Sequence, residues 1–362
     1  MTKGKLSIVW GGQFGSEGKG QIAAEMLLHD SYPVAMRIGG PNAGHTFYLL
    51  SKDNITTKVV VQSIPVATYF GSLGLIGPAG YIILDLLIQE LQRGYEVTGR
   101  PLRLMIDPMA VIISIDQMEK ESVIKETIGS TGEGVGAATA DKIWRKPTIT
   151  VDYNRKVFED MAENYEWARG VSIGPTSQTA RDAIREGKNV MIEGTQGYGL
   201  SLHTGGFYPF CTSRECTPQS LMAETGLGMH LTDDFESIMV LRTFPIRVGG
   251  NSGPLAKEIN WETLNKETNG YVSTPERTTV TKKVRRIARF DPSLVLRAIE
   301  QCGPTSIALN FLDYLFPDLS NCNSTQQFPT EVNKWLSKFE SDLGVPIKYV
   351  SWGPGISDEW RS

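Results

Sequence analysis

Trp10-Gly-Gly-Gln-Phe-Gly-Ser-Glu-Gly-Lys-Gly20 is a glycine-rich turn between a short apolar run, Leu6 to Val9, and a helical pattern from Gln21 to Leu28. Five glycines between positions 11 and 20 let backbone amides crowd around an anion, and the following helix points its positive end at the same place. The stretch predicts a phosphate-binding loop at the carboxyl end of a strand. It is not a Walker A motif, because Gln13 stands where that pattern needs glycine and Gly20 where it needs serine or threonine.

Outward from this loop, apolar and partly β-branched runs recur at Val34 to Ile38, Val59 to Val61, Leu102 to Ile106, Val190 to Ile192, Ile238 to Leu241, Ser306 to Phe311 and Ile347 to Val350. Short continuous runs of this kind suit strands buried on both faces. Helical patterns lie between several of them, at Ile82 to Leu91, Asn154 to Arg169, Thr179 to Glu186, Pro292 to Gln301 and Pro329 to Leu343. The alternation predicts an α/β fold: a mostly parallel central sheet flanked by helices, P-loop-like, with long loop insertions. No repeat or Pro/Ser-rich linker divides the chain, so residues 1–362 read as one domain. The segments Ile113 to Thr150 and Asn251 to Arg286 are the expected binding loops.

Composition excludes several classes. The 36 basic and 40 acidic residues give a formal charge of -4, which argues against a nucleic-acid-binding surface. No apolar run reaches membrane-spanning length, and no charged segment followed by an apolar one opens the chain, so a cytoplasmic protein without membrane contact is expected. The four cysteines form no CxxC pair, and the four histidines lack metal-ligand spacing, which predicts reduced thiols and no structural zinc.

The second informative segment is Arg37-Ile-Gly-Gly-Pro-Asn-Ala-Gly-His-Thr46. It follows a strand with small residues, then an amide, an imidazole and a hydroxyl, and in a parallel sheet it would sit beside the first loop. His45 reads either as a structural histidine or as a general acid or phosphate partner.

Together the two segments, GGQFGSEGKGQ and GGPNAGHT, resemble the adenylosuccinate synthetase family, whose loops have the forms GxQWGDEGKGK and GGxNAGHT. That family joins aspartate to the 6-position of a purine nucleotide with hydrolysis of a nucleoside triphosphate. The resemblance runs along nearly the whole chain. Ile128 to Gly136 resembles the family's IGTTGRGIG, which implies that Ser130 and Thr131 hold the nucleotide 5'-phosphate, with Glu133 where arginine is usual. Asp141 to Arg145 is similar to DKVAR, which implies a homodimer in which Arg145 reaches the neighbouring site. Glu193 to Gly197 resembles EGAQG, with Gln196 near the purine 6-substituent and Asn42 beside it. Tyr208 to Ser213 resembles YPYVTSS, with Thr212 near the nucleotide phosphate. Thr279 to Arg286 is similar to the aspartate loop TVTGRxRR, which implies roles for Thr281, Lys283 and Arg285 toward a dicarboxylate.

For the triphosphate, the resemblance implies Gly15, Glu17, Gly18, Lys19, Gly20, Thr46, Asn310, Ser351, Gly353 and Pro354. Lys19, His45 and Gln196 are the implied catalytic side chains, with Ser16 at a fourth position. Magnesium is the implied cofactor, with the Gly44 backbone carbonyl as a ligand and Ser16 as a poor second one.

Two departures redirect the chemistry. Ala308 to Asp313 meets the family's KLDVLD, whose first aspartate reads guanine in GTP; here Asn310 offers one donor and one acceptor, which suits adenine and predicts ATP or dATP. Ser16 replaces an aspartate that takes the N1 proton of IMP and coordinates magnesium, tasks an uncharged hydroxyl performs badly. A purine with a 2-amino group needs the room that a shorter side chain leaves. The pattern is similar to the viral branch of the family that converts dGMP to a 2-aminoadenine precursor, which implies dGMP, aspartate and ATP as partners and, for a viral protein, the host cytoplasm. Two alternatives stand beside it: an ordinary family member acting on IMP with GTP, and a catalytically silent nucleotide-binding protein.

Overall fold

The computed structural model describes residues 2–50, 56–278 and 282–360. Strand β1, Leu6–Gly11, lies in the middle of its main sheet. It pairs in parallel with Phe235–Arg242 on one side, Leu6 opposite Phe235, and with Val190–Glu193 on the other, Leu6 opposite Val190. Beyond Phe235–Arg242 come Ser306–Asn310 and Ile347–Ser351, both parallel, and then an antiparallel edge strand, Ser357–Glu359. Beyond Val190–Glu193 come β2, Val34–Gly39, then Leu73–Ile82, Leu104–Ile106 and Val171–Ile173, all parallel. The mostly parallel sheet expected from the sequence is thus found.

Side chains alternate across β1. Leu6, Ile8 and Trp10 enter a core shared with helices Thr176–Arg185, Pro218–Thr225, Pro292–Cys302 and Thr330–Leu343. Val9 enters the opposite core with helix α1, Lys19–His29, and helices Leu84–Thr98 and Arg155–Asn164. Each fully buried aliphatic side chain stabilises the fold by about 1.5–3 kcal/mol, so a central strand covered on both faces is the least movable support for a loop.

Two elements differ from the sequence expectation. Val59 to Val61 is a strand, but it belongs to a hairpin of His45–Leu50 with Thr56–Val61, outside the main sheet. The ten-residue strand Leu73–Ile82, LGLIGPAGYI, was hidden by its glycines and proline, which ordinarily mark turns. Close packing explains one of them: a Cβ at Gly77 would lie 2.6 Å from Ile38 Cδ1 of the neighbouring strand. Among the described residues no helix is long and apolar enough to cross a membrane.

Candidate active site

A cavity of about 650 Å³ opens at the carboxyl edge of the sheet. The loops after β1 and β2 line it, and so do parts of both predicted binding segments, residues between Glu121 and Gly136 in the first and Ser252, Glu276, Arg277, Thr278 and Arg285 in the second. Phosphate-binding sites of parallel sheets occupy this edge because the strands deliver helix N-termini there.

The glycine-rich loop turns through left-handed backbone at Gly15 (φ 84°), Ser16 (φ 58°) and Gly18 (φ 95°). Gly18 is the N-cap of α1 and provides no side-chain cap, so Gly18, Lys19, Gly20 and Gln21 open onto the cavity. Close approach also requires glycine at 18, where a Cβ would meet Asn310 Nδ2 at 2.3 Å.

Glu17 is fully buried and faces away from the cavity. Its Oε1 accepts from Gly15 N at 2.7 Å and Gln13 N at 3.2 Å, and its Oε2 from Lys19 Nζ at 2.6 Å. Lys19 also donates to the Gln196 carbonyl. An ammonium has three donors, and with two spent inside the loop the third is available to a ligand.

His45 is buried beneath the same rim. Arg37 NH1 lies 2.7 Å from its Nδ1, and Glu193 Oε2 lies 3.2 Å away. A guanidinium can only donate, so Nδ1 accepts and the proton sits on Nε2, which is buried without a partner. Burial first, then the Arg37 and Lys19 cations, holds His45 well below the usual imidazole range. It is therefore a neutral N–H donor at pH 7. Burial pushes the Glu193 carboxyl up to about 7, against the pull of Arg37. Beside them Gln196, at φ 55°, donates from Nε2 to Asn42 Oδ1 at 3.0 Å, and both residues line the cavity.

Farther along the wall, Ser130, Thr131 and Thr212 line the cavity together. Ser130 Oγ and the Gly136 amide both donate to Glu121, at 3.0 and 2.8 Å, so a carboxylate rests on donors of the second expected phosphate loop. At the other end stand Asn310, Ser351, Gly353 and Pro354. Asn310 Nδ2 donates to the Glu17 carbonyl at 2.6 Å, while its Oδ1 is buried and unpartnered. The residue's remaining capacity is thus an acceptor, which matches an exocyclic amino group.

Gly15, Ser16, Gly20, Gly44, Thr46 and Arg285 also line the cavity. Glu17, Lys283 and Arg145 do not: Glu17 is locked inside its own loop, and Arg145 lies on an exposed turn at φ 60°. Thr281 lies outside the described residues. Among the described residues the one grouping of three potential metal ligands, Glu25, His29 and Asp358, is away from the cavity lining. Sequence reasoning missed Arg37, Glu193 as a partner of His45, Glu121, Arg242 and Glu276. The available signal was a charge inside or at the end of an otherwise apolar strand, as in Met36-Arg37-Ile38 and Val240-Leu241-Arg242.

Two glycine-rich loops, a neutral imidazole donor, a buried lysine and the amides of Asn42, Gln196 and Asn310 thus meet around one cavity. The adenylosuccinate synthetase family profile matches residues 8–168 and 148–317, and the chain belongs to that family. It is therefore a carbon–nitrogen ligase. The chain is 32% identical over 350 residues to the N6-succino-2-amino-2'-deoxyadenylate synthase of Vibrio phage phiVC8, covering 96% of this chain and 95% of the relative. It is 32% identical over 359 residues to the adenylosuccinate synthetase of Methanosphaera stadtmanae, covering 97% and 96%. Among solved structures it matches the cyanophage S-2L succinoaminodeoxyadenylate synthetase bound to dGMP and dATP, with a TM-score of 0.78, 27% identity, and coverage of 100% and 97%.

Proposed function

We propose that this ligase joins L-aspartate to the 6-position of dGMP, with ATP or dATP as phosphoryl donor, giving N6-succino-2-amino-2'-deoxyadenylate, the nucleoside diphosphate and phosphate. One observation carries the reading. Ser16, exposed on the cavity wall, offers only a hydroxyl, and the adjacent carboxylate of Glu17 is turned inward and held by three donors. A base that needs a carboxylate beside N1 is therefore poorly served, whereas a 2-aminopurine gains space and an acceptor oxygen. The product named for the Vibrio phage relative and the dGMP and dATP bound in the cyanophage structure support the same choice.

In the proposed reaction the γ-phosphoryl group moves to purine O6, breaking its bond to the diphosphate. Lys19 stabilises charge on the transferred oxygens with its remaining N–H, and His45 Nε2–H donates on the phosphate side. Asn42 and Gln196 hold the 6-phosphoryl intermediate. As O6 is phosphorylated the N1 proton passes to solvent by way of the exposed Ser16 hydroxyl; the aspartate amine then attacks C6, phosphate leaves with O6, and the surplus amine proton is released to solvent. Arg285 grips the aspartate carboxylate, with Thr281 and Lys283 on the same segment, and Ser130, Thr131 and Thr212 hold the 5'-phosphate. Asn310 Oδ1 accepts from the adenine amino group.

The donor set suits a magnesium ion held chiefly by phosphate oxygens and water. The cavity-lining carboxylates Glu121, Glu276 and Asp313 are engaged by Ser130, Arg242 and Tyr271, which leaves the Gly44 carbonyl and the Ser16 hydroxyl. When bound, the ion would offset charge on the triphosphate. A homodimer belongs to the same reading. Arg145 shares its exposed turn with Ile143 and Trp144, which are 70% and 78% exposed, a face suited to a second copy.

The test is phosphate release with aspartate and magnesium, offering IMP, GMP or dGMP with ATP, dATP or GTP. We expect dGMP with an adenine triphosphate to be turned over fastest. Turnover of IMP alone overturns the reading, and so does aspartate-independent release. Ser16→Asp is expected to weaken use of dGMP.

A further inference from the structure

Arg242 ends the strand beside β1, and its side chain is wholly buried. Gln13 clamps its backbone, accepting from Arg242 N at 3.0 Å and donating to Arg242 O at 3.1 Å. Its guanidinium faces three parts of the site. NH1 donates to the Ser16 carbonyl at 3.1 Å and to Glu276 Oε2 at 3.3 Å, NH2 donates to Glu276 Oε1, and the plane lies 3.8 Å over the ring of Phe311, next to Asn310. Tyr314 Oη adds a third donor to Glu276, at 3.0 Å. Ser16 and Phe311 both have left-handed backbone, at φ 58° and 64°, so the same side chain braces two strained turns.

Glu276 and Arg285 line the cavity together, near enough for the carboxylate to act electrostatically on the arginine. Even so, Arg285 makes no ion pair within 4.0 Å among the described residues; its Nε donates to the Arg277 carbonyl at 3.2 Å. Glu276 is turned to Arg242 instead. Burial raises its pKa, but the Arg242 charge and hydrogen bonds outweigh that, and the carboxyl stays below its usual range.

We infer that Arg242 is a positioning residue that keeps Glu276 away from Arg285, so that the Arg285 guanidinium stays open to the carboxylate of an incoming amino dicarboxylic acid. Through the Ser16 carbonyl it also ties that opening to the purine end of the cavity. The inference rests on the proposed use of aspartate. Its physical basis is competition: a released Glu276 would form a charge-assisted pair with Arg285, the fork that the substrate carboxylate needs. A lysine at 242 could not donate to Ser16 and both Glu276 oxygens while stacking on Phe311.

The experiment measures KM for L-aspartate, dGMP and dATP, and kcat, by phosphate release from Arg242→Met, Glu276→Gln and the double variant. Arg242→Met is expected to raise the aspartate KM by about tenfold or more, the loss expected when a charge-assisted contact is competed away, and by more than it raises the dATP KM. Glu276→Gln is expected not to raise the aspartate KM, and adding it to Arg242→Met should return that KM toward wild type. A merely structural role predicts no such rescue. A double variant as weak as Arg242→Met overturns the inference, and so does a raised aspartate KM in Glu276→Gln, the variant that decides the matter if Arg242→Met does not fold. Wild-type phosphate release without aspartate would overturn the dicarboxylate reading and this inference together. Aspartate-dependent release with unaltered variant KM values overturns this inference alone.

Discussion

Asp313→Asn should make the protein more stable, and only at neutral pH. Asp313 is 4% exposed; Tyr271 Oη donates to its Oδ2 at 3.0 Å, and its Oδ1 is buried without a partner. Burial, partly offset by Tyr271 and Arg242, pushes its carboxyl from 3.8 to about 6. Because the folded value is the higher one, the native state binds more protons than the unfolded state across that window. Stability is therefore full below the unfolded value and falls as pH rises through the folded one. Ionising a carboxyl raised this far costs about 3 kcal/mol above pH 7, of which about half is already present at pH 5. Asparagine is isosteric with the protonated acid and keeps the Tyr271 bond, but it leaves a buried N–H in place of Oδ1, at a cost of about 1 kcal/mol. The net gain at pH 7.5 is about 1–2 kcal/mol, shrinking toward zero at pH 5. Urea unfolding of both proteins at the two pH values measures it. A difference between variant and wild type that does not change with pH would refute the argument.

Three further outcomes follow from the same geometry. Glu17→Gln strands the buried Lys19 ammonium and should destabilise the fold by about 3–5 kcal/mol in urea unfolding, since breaking a buried pair leaves an uncompensated charge; a loss below about 1 kcal/mol would show that the pair is not buried as described. Gly18→Ala sets a Cβ against the Asn310 amide at a φ of 95°, so triphosphate KM should rise by about tenfold or more while equilibrium dGMP binding is kept; an unchanged triphosphate KM counts against the N-cap as the phosphate site. Asn310→Asp removes the donor to the Glu17 carbonyl and sets two acceptors face to face, so preference for dATP over dGTP, read as a ratio of kcat/KM, should fall by about tenfold; a constant ratio would dissociate Asn310 from base selection.

The sheet was legible where chemistry was redundant. β1, β2 and the runs at Val190 and Ile238 are apolar on both faces, and only a covered parallel sheet uses such runs. The loops were legible for a different reason: glycine crowding ahead of a helix marks a tight turn at a strand's carboxyl end, and both loops do line the cavity there. Leu73–Ile82 was not legible, because what calls for glycine at 77 is the bulk of Ile38 and Met36 on another strand. The inward turn of Glu17 was equally hidden, since an acidic residue in a phosphate loop looks like a ligand contact until its hydrogen bonds are known. Arg242 is 34 residues from Glu276 and 226 from Ser16, and Glu193 is 148 from His45; no local pattern encodes such pairs.

The central position of β1 has a consequence for how the site can vary. Its two neighbours end in Glu193 and Arg242, so the floor beneath the reacting groups is built from three adjacent strands with cores on both sides. Amides of these strands should exchange with solvent only on global unfolding, whereas the described wall residues at 121–136 and 246–278 should open by smaller local fluctuations. Mutational drift can therefore reshape what fits the walls while the floor keeps its geometry. A single scaffold of this kind can change substrates by loop substitutions alone.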